Sequence, residues 1–221
     1  MGLYTPGEAS RLLRIPPSTL RRWIEGYSFP LDRWSKSHKP ALVAPALPRY
    51  GKTLTLTFLD LVQLRVVKAL RDEDIALQRI RMAAEEAVEL FETSHPFASV
   101  RFKTDGRRLF AEAPGDAGLV ELKRPSQGAL REVLEDSLRE ISYATTTGLA
   151  NRWYVAGRDG GVVIDPRISF GAPVVENANV PTHIIRDQAR VTPDEHRLAS
   201  WFALEVGQVR NALRYEDQLA A

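Results

Sequence analysis

Two short helices are encoded by the stretch Tyr4-Thr5-Pro6-Gly7-Glu8-Ala9-Ser10-Arg11-Leu12-Leu13-Arg14-Ile15-Pro16-Pro17-Ser18-Thr19-Leu20-Arg21-Arg22-Trp23. Thr5 and Glu8 have the spacing of a capping box at the start of the first helix. Pro16 cannot continue the helical hydrogen-bond ladder, whereas Pro17 suits the first turn of a second helix that runs to about Glu25. The stretch therefore predicts a helix, a tight turn and a second helix.

Helical spacing divides the second helix into two faces. The apolar residues on the predicted buried face are Leu20, Trp23 and Ile24. The polar residues left on the outward face are Ser18, Thr19, Arg21 and Arg22. A helix held in this way can enter the major groove of DNA, where Arg21 or Arg22 can donate to guanine and Thr19 can touch a thymine methyl group. The alternative is that the two arginines only keep an exposed face solvated.

Positive charge is concentrated at the start of the chain. Residues 1–57 carry nine Lys and Arg against three Asp and Glu, whereas residues 58–221 carry 21 basic and 25 acidic side chains. Such segregation is typical of a surface that meets a polyanion, so the N-terminal part is predicted to bind double-stranded DNA. The predicted phosphate contacts are Arg11, Arg14, Arg49 and Lys52.

The opening stretch resembles the helix-turn-helix at the start of MerR-family regulators. The likeness continues in three later stretches, Arg49-Tyr50, Phe58-Leu59-Asp60-Leu61-Val62-Gln63-Leu64 and Leu77-Gln78-Arg79-Ile80-Arg81. The resemblance implies a winged helix-turn-helix DNA-binding domain at residues 1–95, with Arg49 and Tyr50 in the wing. It also implies a homodimer, for which the helix from Ala76 to Glu92 is the candidate surface.

The rest of this first domain is predicted from periodicity and breakers. Residues 26–53 are rich in proline and basic residues, which favours a long loop with short extended pieces. Leu54-Thr55-Leu56 is predicted to be one strand of the wing. Thr57 is a plausible cap for a helix from Phe58 to about Arg71.

The central region, residues 96–158, is predicted to be mixed in structure. A β-hairpin is expected from Ser99–Thr104 and Arg107–Ala111 around the turn Asp105-Gly106, with a third strand at Leu119–Leu122. An amphipathic helix is predicted between Leu130 and Ile141. Strands are expected at Trp153–Val155 and, at the start of the next domain, at Val162–Ile164. The whole chain is therefore predicted to be α+β and mainly helical.

The C-terminal part carries three stretches of a second resemblance: Val162-Val163-Ile164-Asp165-Pro166-Arg167-Ile168-Ser169-Phe170-Gly171-Ala172-Pro173-Val174-Val175, Val180-Pro181-Thr182 and Val206-Gly207-Gln208-Val209-Arg210-Asn211-Ala212-Leu213-Arg214-Tyr215-Glu216. They resemble the domain-of-unknown-function family 433 over about residues 160–218. Members of that family are often encoded beside a PIN-like ribonuclease and are taken to be its antitoxin. The resemblance therefore implies a PIN-like toxin as a protein partner.

This C-terminal domain, residues 159–221, is predicted to end in a three-helix unit of homeodomain-like proportions. The helices are expected at Thr182–Arg190, at Pro193–Phe202 with Thr192 as the cap, and at Val206 to about Gln218. From residue 161 onward there are six basic and eight acidic side chains, which favours protein contact over a second DNA-reading surface. The residues predicted to lie in its core are Ile168, Phe170, Val174, Val175 and Val180.

Composition argues against several classes of protein. The chain has no cysteine, so disulfides, thiolate zinc sites and thiol redox chemistry are excluded and a cytoplasmic location is expected. No apolar run is long enough to span a membrane. The start of the sequence lacks a basic segment followed by an apolar stretch, so no secretory peptide is predicted. The four histidines lack metal-ligand spacing, and Gly157–Gly161 favours a turn over a phosphate loop. The sequence therefore predicts neither an enzyme nor a cofactor or metal site.

These patterns lead to one functional hypothesis and two alternatives. The hypothesis is an antitoxin of a type II toxin-antitoxin system that binds a PIN-like ribonuclease and represses its own operon at its promoter. The first alternative is a MerR-like transcriptional regulator without a toxin partner. The second is a structural adaptor that uses the helix-turn-helix for protein contact, for which no salt-sensitive DNA binding is expected.

Overall fold

The structure, a computed structural model, describes residues 2–30, 32, 35–100, 102 and 138–220. The chain divides into two compact units, one formed by residues 4–139 and 143–150 and the other by residues 1–3, 140–142 and 151–221. Helices and several small sheets make up both, which confirms the predicted α+β class. Among the described residues, no helix is long and apolar enough to cross a membrane.

The first unit opens with the predicted helix-turn-helix. After a short strand, β1 (Leu3–Tyr4), come α1 (Pro6–Leu13) and α2 (Pro17–Glu25). The Thr5 side chain accepts a hydrogen bond from the backbone N–H of Glu8 at 3.2 Å, and the Glu8 carboxylate accepts one from the Thr5 backbone at 2.8 Å, so the capping box is confirmed. The three residues predicted to lie on the buried face of α2 are indeed buried.

Hydrogen bonds fix the turn between α1 and α2. The Ile15 backbone N–H donates to the Ser10 carbonyl at 3.0 Å, and the buried Ser10 hydroxyl donates back to the Ile15 carbonyl. Arg14 adopts the left-handed conformation that commonly ends a helix, with φ of 53°. These bonds pair backbone carbonyl groups at the end of α1 that the helix leaves without partners, and they set the direction of α2 relative to α1.

A β-hairpin follows α2 within the segment that was predicted to be a loop. β2 (Tyr27–Pro30) pairs in antiparallel fashion with β3 (Lys36–Lys39), and Tyr27 lies opposite Lys39. The prediction of a wing strand at Leu54–Leu56 is wrong, because β4 (Leu56–Thr57) belongs to a separate two-stranded sheet with β1. Leu56 is fully buried in that sheet. The alternation of apolar and polar residues at positions 54–56 predicted a strand but could not predict which strand would pair with it.

Two longer helices complete this unit, α3 (Phe58–Asp72) and α4 (Leu77–Phe91), close to their predicted bounds. Thr57 caps α3 as predicted, in a capping box with Asp60. A 3₁₀ turn at Pro96–Ala98 packs on both helices. Most of α3 is buried, which makes it the central element of this core.

Ser99 forms a single β-bridge with Leu149, but the predicted strand at Ser99–Thr104 is wrong at the other residues that the structure describes. Val100 and Phe102 are helical, and the Phe102 ring packs edge-on against Phe97 with 4.7 Å between the ring centroids. A short run of alternating apolar residues does not distinguish a strand from a buried helical turn, and the packing of Phe102 decides between them.

Several predictions for the central region lie outside the described residues. They are the turn Asp105-Gly106, the strands Arg107–Ala111 and Leu119–Leu122, and the part of the Leu130–Ile141 helix that precedes residue 138. Leu138 and Arg139 are helical as predicted, but Ile141 is not, because it begins the strand β5 (Ile141–Tyr143).

β5 is the edge of a four-stranded sheet with the order β5-β6-β7-β8. The other strands are β6 (Ala150–Tyr154), β7 (Val162–Ile164) and β8 (Val174–Val175), and β7 pairs in antiparallel fashion with both neighbours. The two strands predicted in this part of the chain are confirmed. Gly157–Gly161 forms the predicted turn, with a 3₁₀ helix at Arg158–Gly160.

The predicted three-helix unit ends the chain. It consists of α5 (Thr182–Val191), α6 (Glu195–Phe202) and α7 (Val206–Ala220), whose shared core includes Ile185, Leu198, Val209 and Ala212. The cap of α6 is Asp194 and not Thr192, because the Asp194 carboxylate accepts hydrogen bonds from the backbone of His196 at 3.0 Å and Arg197 at 3.1 Å. A carboxylate reaches two backbone donors at once, which makes it the better cap.

One predicted core residue of this unit is on the surface. Phe170 is 89% exposed, whereas Val174 and Val175 are buried as predicted. Ser169, Phe170 and Gly171 all have positive φ, at 46°, 55° and 84°, and this turn directs the ring out of the fold. Apolar spacing alone does not reveal a backbone reversal of this kind.

A buried carboxylate holds the loop after β7. Asp165 is fully buried and accepts hydrogen bonds from Arg167 Nε at 2.9 Å and Nη2 at 2.6 Å, and from Arg152 Nη2 at 3.3 Å. The Arg167 side chain holds the pKa of Asp165 below its ordinary value, although burial acts in the opposite direction. The charged form of Asp165 therefore stabilises the folded unit.

We expect this unit to lose stability in acid through Asp165. Because the pKa is lower in the folded than in the unfolded chain, the stabilisation is complete above about pH 4 and is lost as the pH falls through the folded-state value. Urea unfolding of wild type followed by tryptophan fluorescence should give a lower midpoint at pH 3 than at pH 6. Asp165→Asn should lower the midpoint at pH 6 and flatten the dependence, by at most about 1.4 kcal/mol per pH unit. If the urea midpoint of the variant depends on pH as strongly as that of wild type, groups other than Asp165 cause the acid sensitivity.

Candidate nucleic-acid interface

The outward face of α2 lies where the sequence predicted it. Ser18, Arg21 and Arg22 are exposed and Thr19 is half-buried. The opposite face is anchored by Leu20, which has no exposed surface and packs in the same core as α1. The helix is therefore held by one side and presents a polar, doubly positive face with the other.

The two arginines of this face differ in their surroundings. The Arg22 guanidinium carbon lies 4.3 Å from the centroid of the Tyr27 ring, within the range of a cation–π contact. Arg21 makes no comparable contact, hydrogen bond or ion pair with any residue that the structure describes. One arginine is thus held over an aromatic ring, while the other projects from the helix without such support.

A glycine joins α2 to the hairpin at a point where no other residue fits. Gly26 has φ of 77° and ψ of −173°, a region that is almost restricted to glycine. A Cβ atom at this position would lie 2.3 Å from the Lys39 carbonyl oxygen and 2.9 Å from the Pro40 carbonyl carbon. The end of β3 therefore packs directly against the end of α2.

The segment after β3 forms hydrogen bonds with the rest of this unit at three places. The Trp23 carbonyl, near the end of α2, accepts hydrogen bonds from Leu42 at 2.7 Å and Val43 at 3.1 Å. Arg81 Nη1 of α4 donates to the Ala41 carbonyl at 2.9 Å. The Ala46 backbone donates to the buried Asp60 carboxylate at 3.2 Å. These contacts hold the base of the hairpin against α2, α3 and α4.

The hairpin places further polar side chains beside α2 that the sequence analysis did not select. Ser28, Lys36 and His38 are exposed on one face, and Ser28 Oγ lies 3.2 Å from His38 Nδ1. The alternation of aromatic residues at Tyr27 and Phe29 is the sequence pattern that could have predicted strand β2. The hairpin was not predicted because Pro30 and the basic residues after it favoured a loop.

Arg11 and Arg14, two of the predicted phosphate contacts, lie at the end of α1. Arg11 is exposed in its last turn, and Arg14 is exposed in the turn that leads to α2. Both are therefore on the surface of the helix-turn-helix itself, as a role in contacting phosphates requires.

The remaining predicted contacts, Arg49 to Lys52, lie in a tight turn outside the β2–β3 hairpin. Tyr50 and Thr53 exchange backbone hydrogen bonds of 3.1 and 2.9 Å across this turn. Tyr50 is 90% exposed and Lys52 is also exposed. Arg49 forms an ion pair with Glu25 at the end of α2, which partly neutralises its charge.

The interface thus combines an anchored helix, a rigid hairpin beside it and a set of exposed cations. Its chemistry is that of hydrogen-bond donation and charge neutralisation, which suits phosphates and the acceptor edges of bases. Within the described ranges, no group of three or more His, Asp and Glu side chains is placed to hold a metal ion.

Comparisons with known proteins agree with this geometry. Residues 2–84 match the family described as "Putative DNA-binding HTH domain". The match contains α1, α2, the hairpin, α3 and part of α4. The chain therefore carries a helix-turn-helix domain of a DNA-binding type at its N-terminal end.

Two relatives and one solved structure extend the likeness along the chain. It is 29% identical to "Putative antitoxin VapB45" of Mycobacterium tuberculosis, over 99% of this chain and 94% of that protein. It is 25% identical to "Uncharacterized protein Rv2308" of the same organism, over 96% of this chain and 89% of that protein. The crystal structure of Rv2018 from M. tuberculosis has a TM-score of 0.74 at 26% identity and matches 95% of this chain and 96% of that one.

Proposed function

We propose that this chain is the antitoxin of a type II toxin-antitoxin system, which represses its own operon and neutralises a PIN-like ribonuclease. The observation that carries the DNA-binding half is the exposed pair Arg21 and Arg22 on a helix whose other face is buried. The likeness to a protein named an antitoxin, along nearly the whole chain, supports the other half. The resemblances to MerR-family regulators and to family 433 point in the same directions.

In this proposal α2 lies in the major groove and the cations around it contact the backbone. Arg21 and Arg22 donate to guanine O6 and N7, and Thr19 touches a neighbouring thymine methyl group. The residues that contact phosphates are Ser18, Arg11, Arg14, Arg49, Tyr50 and Lys52. Arg49 can contact a phosphate through its remaining N–H groups or by exchanging Glu25 for the phosphate, because only Nη2 donates to Glu25.

A homodimer would place two copies of α2 at half-sites about one helical turn apart or a multiple of it. The candidate dimer surface is α4, on which Val88 is 42% and Leu90 is 58% exposed. The predicted division into domains at 1–95, 96–158 and 159–221 belongs to the same proposal. The N-terminal domain binds DNA, and the domains after it bind the protein partner.

Phe170 is the candidate anchor for the toxin. Its ring is almost fully exposed, and its backbone adopts a conformation that costs a residue with a side chain about 1–2 kcal/mol. Two backbone hydrogen bonds hold the turn: Ile168 donates to the Asp165 carbonyl at 3.0 Å, and Gly171 donates to the Ile168 carbonyl at 2.8 Å. A strained turn that presents an aromatic ring to solvent is a candidate recognition site, since such rings commonly dominate binding energy.

Phe170→Ala is expected to weaken toxin binding by at least about tenfold, since buried aromatic anchors contribute about 2 kcal/mol or more. Folding should be unaffected, because the ring is exposed. The measurement is calorimetric titration of the variant with the purified product of the neighbouring gene. Val191→Ala removes another side chain of this unit that is 78% exposed and serves as the matched control. Equal affinities for wild type and Phe170→Ala would exclude the Phe170 anchor.

The experiment that tests the proposal as a whole is a DNA titration with and without the neighbouring gene product. The full chain is titrated against its own upstream duplex and a shuffled duplex at several salt concentrations. Specific, salt-dependent binding together with a stable protein complex supports an antitoxin. Specific binding without a complex supports the regulator alternative, and the absence of salt-sensitive DNA binding supports the adaptor.

A further inference from the structure

We propose that Tyr27 is a positioning residue that orients Arg22 for base recognition and makes Arg22 the more specific of the two outward arginines. This inference rests on the proposed DNA-binding function and assigns different tasks to Arg21 and Arg22. Its basis is the cation–π contact of 4.3 Å between Arg22 and the Tyr27 ring, which joins the recognition helix to the first residue of the hairpin.

A ring can orient a guanidinium without occupying its donors. The N–H bonds of a guanidinium group point outward in its plane, so an aromatic ring that contacts the face of the group leaves them free to donate. Those N–H groups are the ones that form a paired contact with guanine O6 and N7. The contact with Tyr27 therefore restricts the long Arg22 side chain before DNA binds and reduces the entropy that is lost on binding.

The ring itself is held in place by the local fold. Gly26 allows β3 to pack against the end of α2, and Tyr27 is the next residue, paired across the hairpin with Lys39. The Phe29 ring lies 6.1 Å from the Tyr27 ring and supports it within the same strand. Because the hydrogen bonds from Leu42 and Val43 to Trp23 fix the base of the hairpin, the position of the ring relative to α2 is also fixed.

Arg21 provides an internal comparison. It occupies the adjacent position on α2, is also exposed and has no aromatic ring over it among the described residues. Its side chain must be ordered entirely by DNA. Its contribution should therefore depend more on general charge, and that of Arg22 more on base identity.

The test measures the ratio of dissociation constants for a shuffled duplex and the upstream duplex. Tyr27→Leu should reduce this ratio about two- to five-fold, the factor that corresponds to an exposed cation–π contact. Affinity for the shuffled duplex and its salt dependence should stay as in wild type, because no charge is removed. Tyr27→Phe keeps the ring and should retain the wild-type ratio.

A double-mutant cycle separates positioning from a purely structural effect. With Arg22→Ala already present, Tyr27→Leu should change the affinity for the upstream duplex no further. With Arg21→Ala present, it should cause the full loss again. A loss of the same size in both backgrounds means that Tyr27 supports the hairpin and does not act through Arg22, which would overturn the inference.

The outcome also separates this inference from the proposed function. If wild type binds both duplexes equally, sequence-specific binding fails and the inference fails with it. If wild type is specific and Tyr27→Leu keeps the full ratio, only the positioning role is overturned.

Discussion

Replacing Arg21 and Arg22 together by alanine is expected to abolish sequence-specific DNA binding and to leave the fold intact. Each arginine that donates twice to a guanine contributes about 1–3 kcal/mol, so the pair contributes about 2–6 kcal/mol, or a loss of about 30-fold or more in affinity. Both side chains are exposed, so no core contact is removed. The measurement is fluorescence anisotropy with a labelled upstream duplex at constant salt.

The control for this prediction removes the same charge elsewhere. Arg190 and Arg214 are exposed residues of the second unit, and their double replacement by alanine also lowers the net charge by two. If this control weakens binding as strongly as the α2 variant, the effect comes from net charge and α2 does not read bases. Unchanged circular dichroism of the α2 variant would show that the helix still forms.

Among alanine substitutions at this interface, Gly26→Ala is expected to lower the free energy of unfolding the most. The added methyl group would lie 2.3 Å from the Lys39 carbonyl oxygen, in a backbone region that is almost restricted to glycine. Strain and steric overlap each cost about 1–3 kcal/mol, so a destabilisation of about 2–6 kcal/mol is expected. DNA affinity should fall with it, because the hairpin and the Tyr27 ring are displaced. Urea unfolding of wild type and variant measures the first effect.

Gly51→Ala is the matched control for backbone strain without steric overlap. Gly51 also has a positive φ, 59°, but a Cβ atom at this position would meet nothing within 4 Å. The expected destabilisation is about 1–2 kcal/mol, which is the cost of the left-handed conformation alone. If the two variants lose equal stability, the close approach of Gly26 and Lys39 does not contribute and the hairpin is less tightly held than the structure implies.

Local sequence rules predicted the parts of the fold that local chemistry controls. Thr5 and Glu8 form the predicted capping box at the start of α1, and Thr57 is the predicted cap of α3, because each depends only on residues within one helical turn. The bounds of α2 followed from Pro17 and from apolar spacing. Similar reasoning failed at Thr192, because the helix begins two residues later than predicted and the Asp194 carboxylate caps it.

Pairing between distant residues was beyond such rules. Leu56 pairs with the β1 strand more than 50 residues earlier in the chain, and Phe102 is helical because it packs on Phe97. Phe170 was assigned to the core from its spacing, yet the positive φ of its turn directs the ring outward. In each case the sequence contained the apolar residue but not the partner or the backbone reversal that decides its environment.

For the candidate interface, the sequence alone determined the recognition helix, its outward arginines and the concentration of positive charge around them. These follow from composition and from a period of 3.6 residues per turn. Only the tertiary structure decided that Tyr27 lies over Arg22, that Gly26 must approach Lys39, and that Arg49 is paired with Glu25. The physical reason is that helix faces are set by neighbours a few residues apart, whereas the surroundings of each arginine depend on where the hairpin and the following loop close against α2.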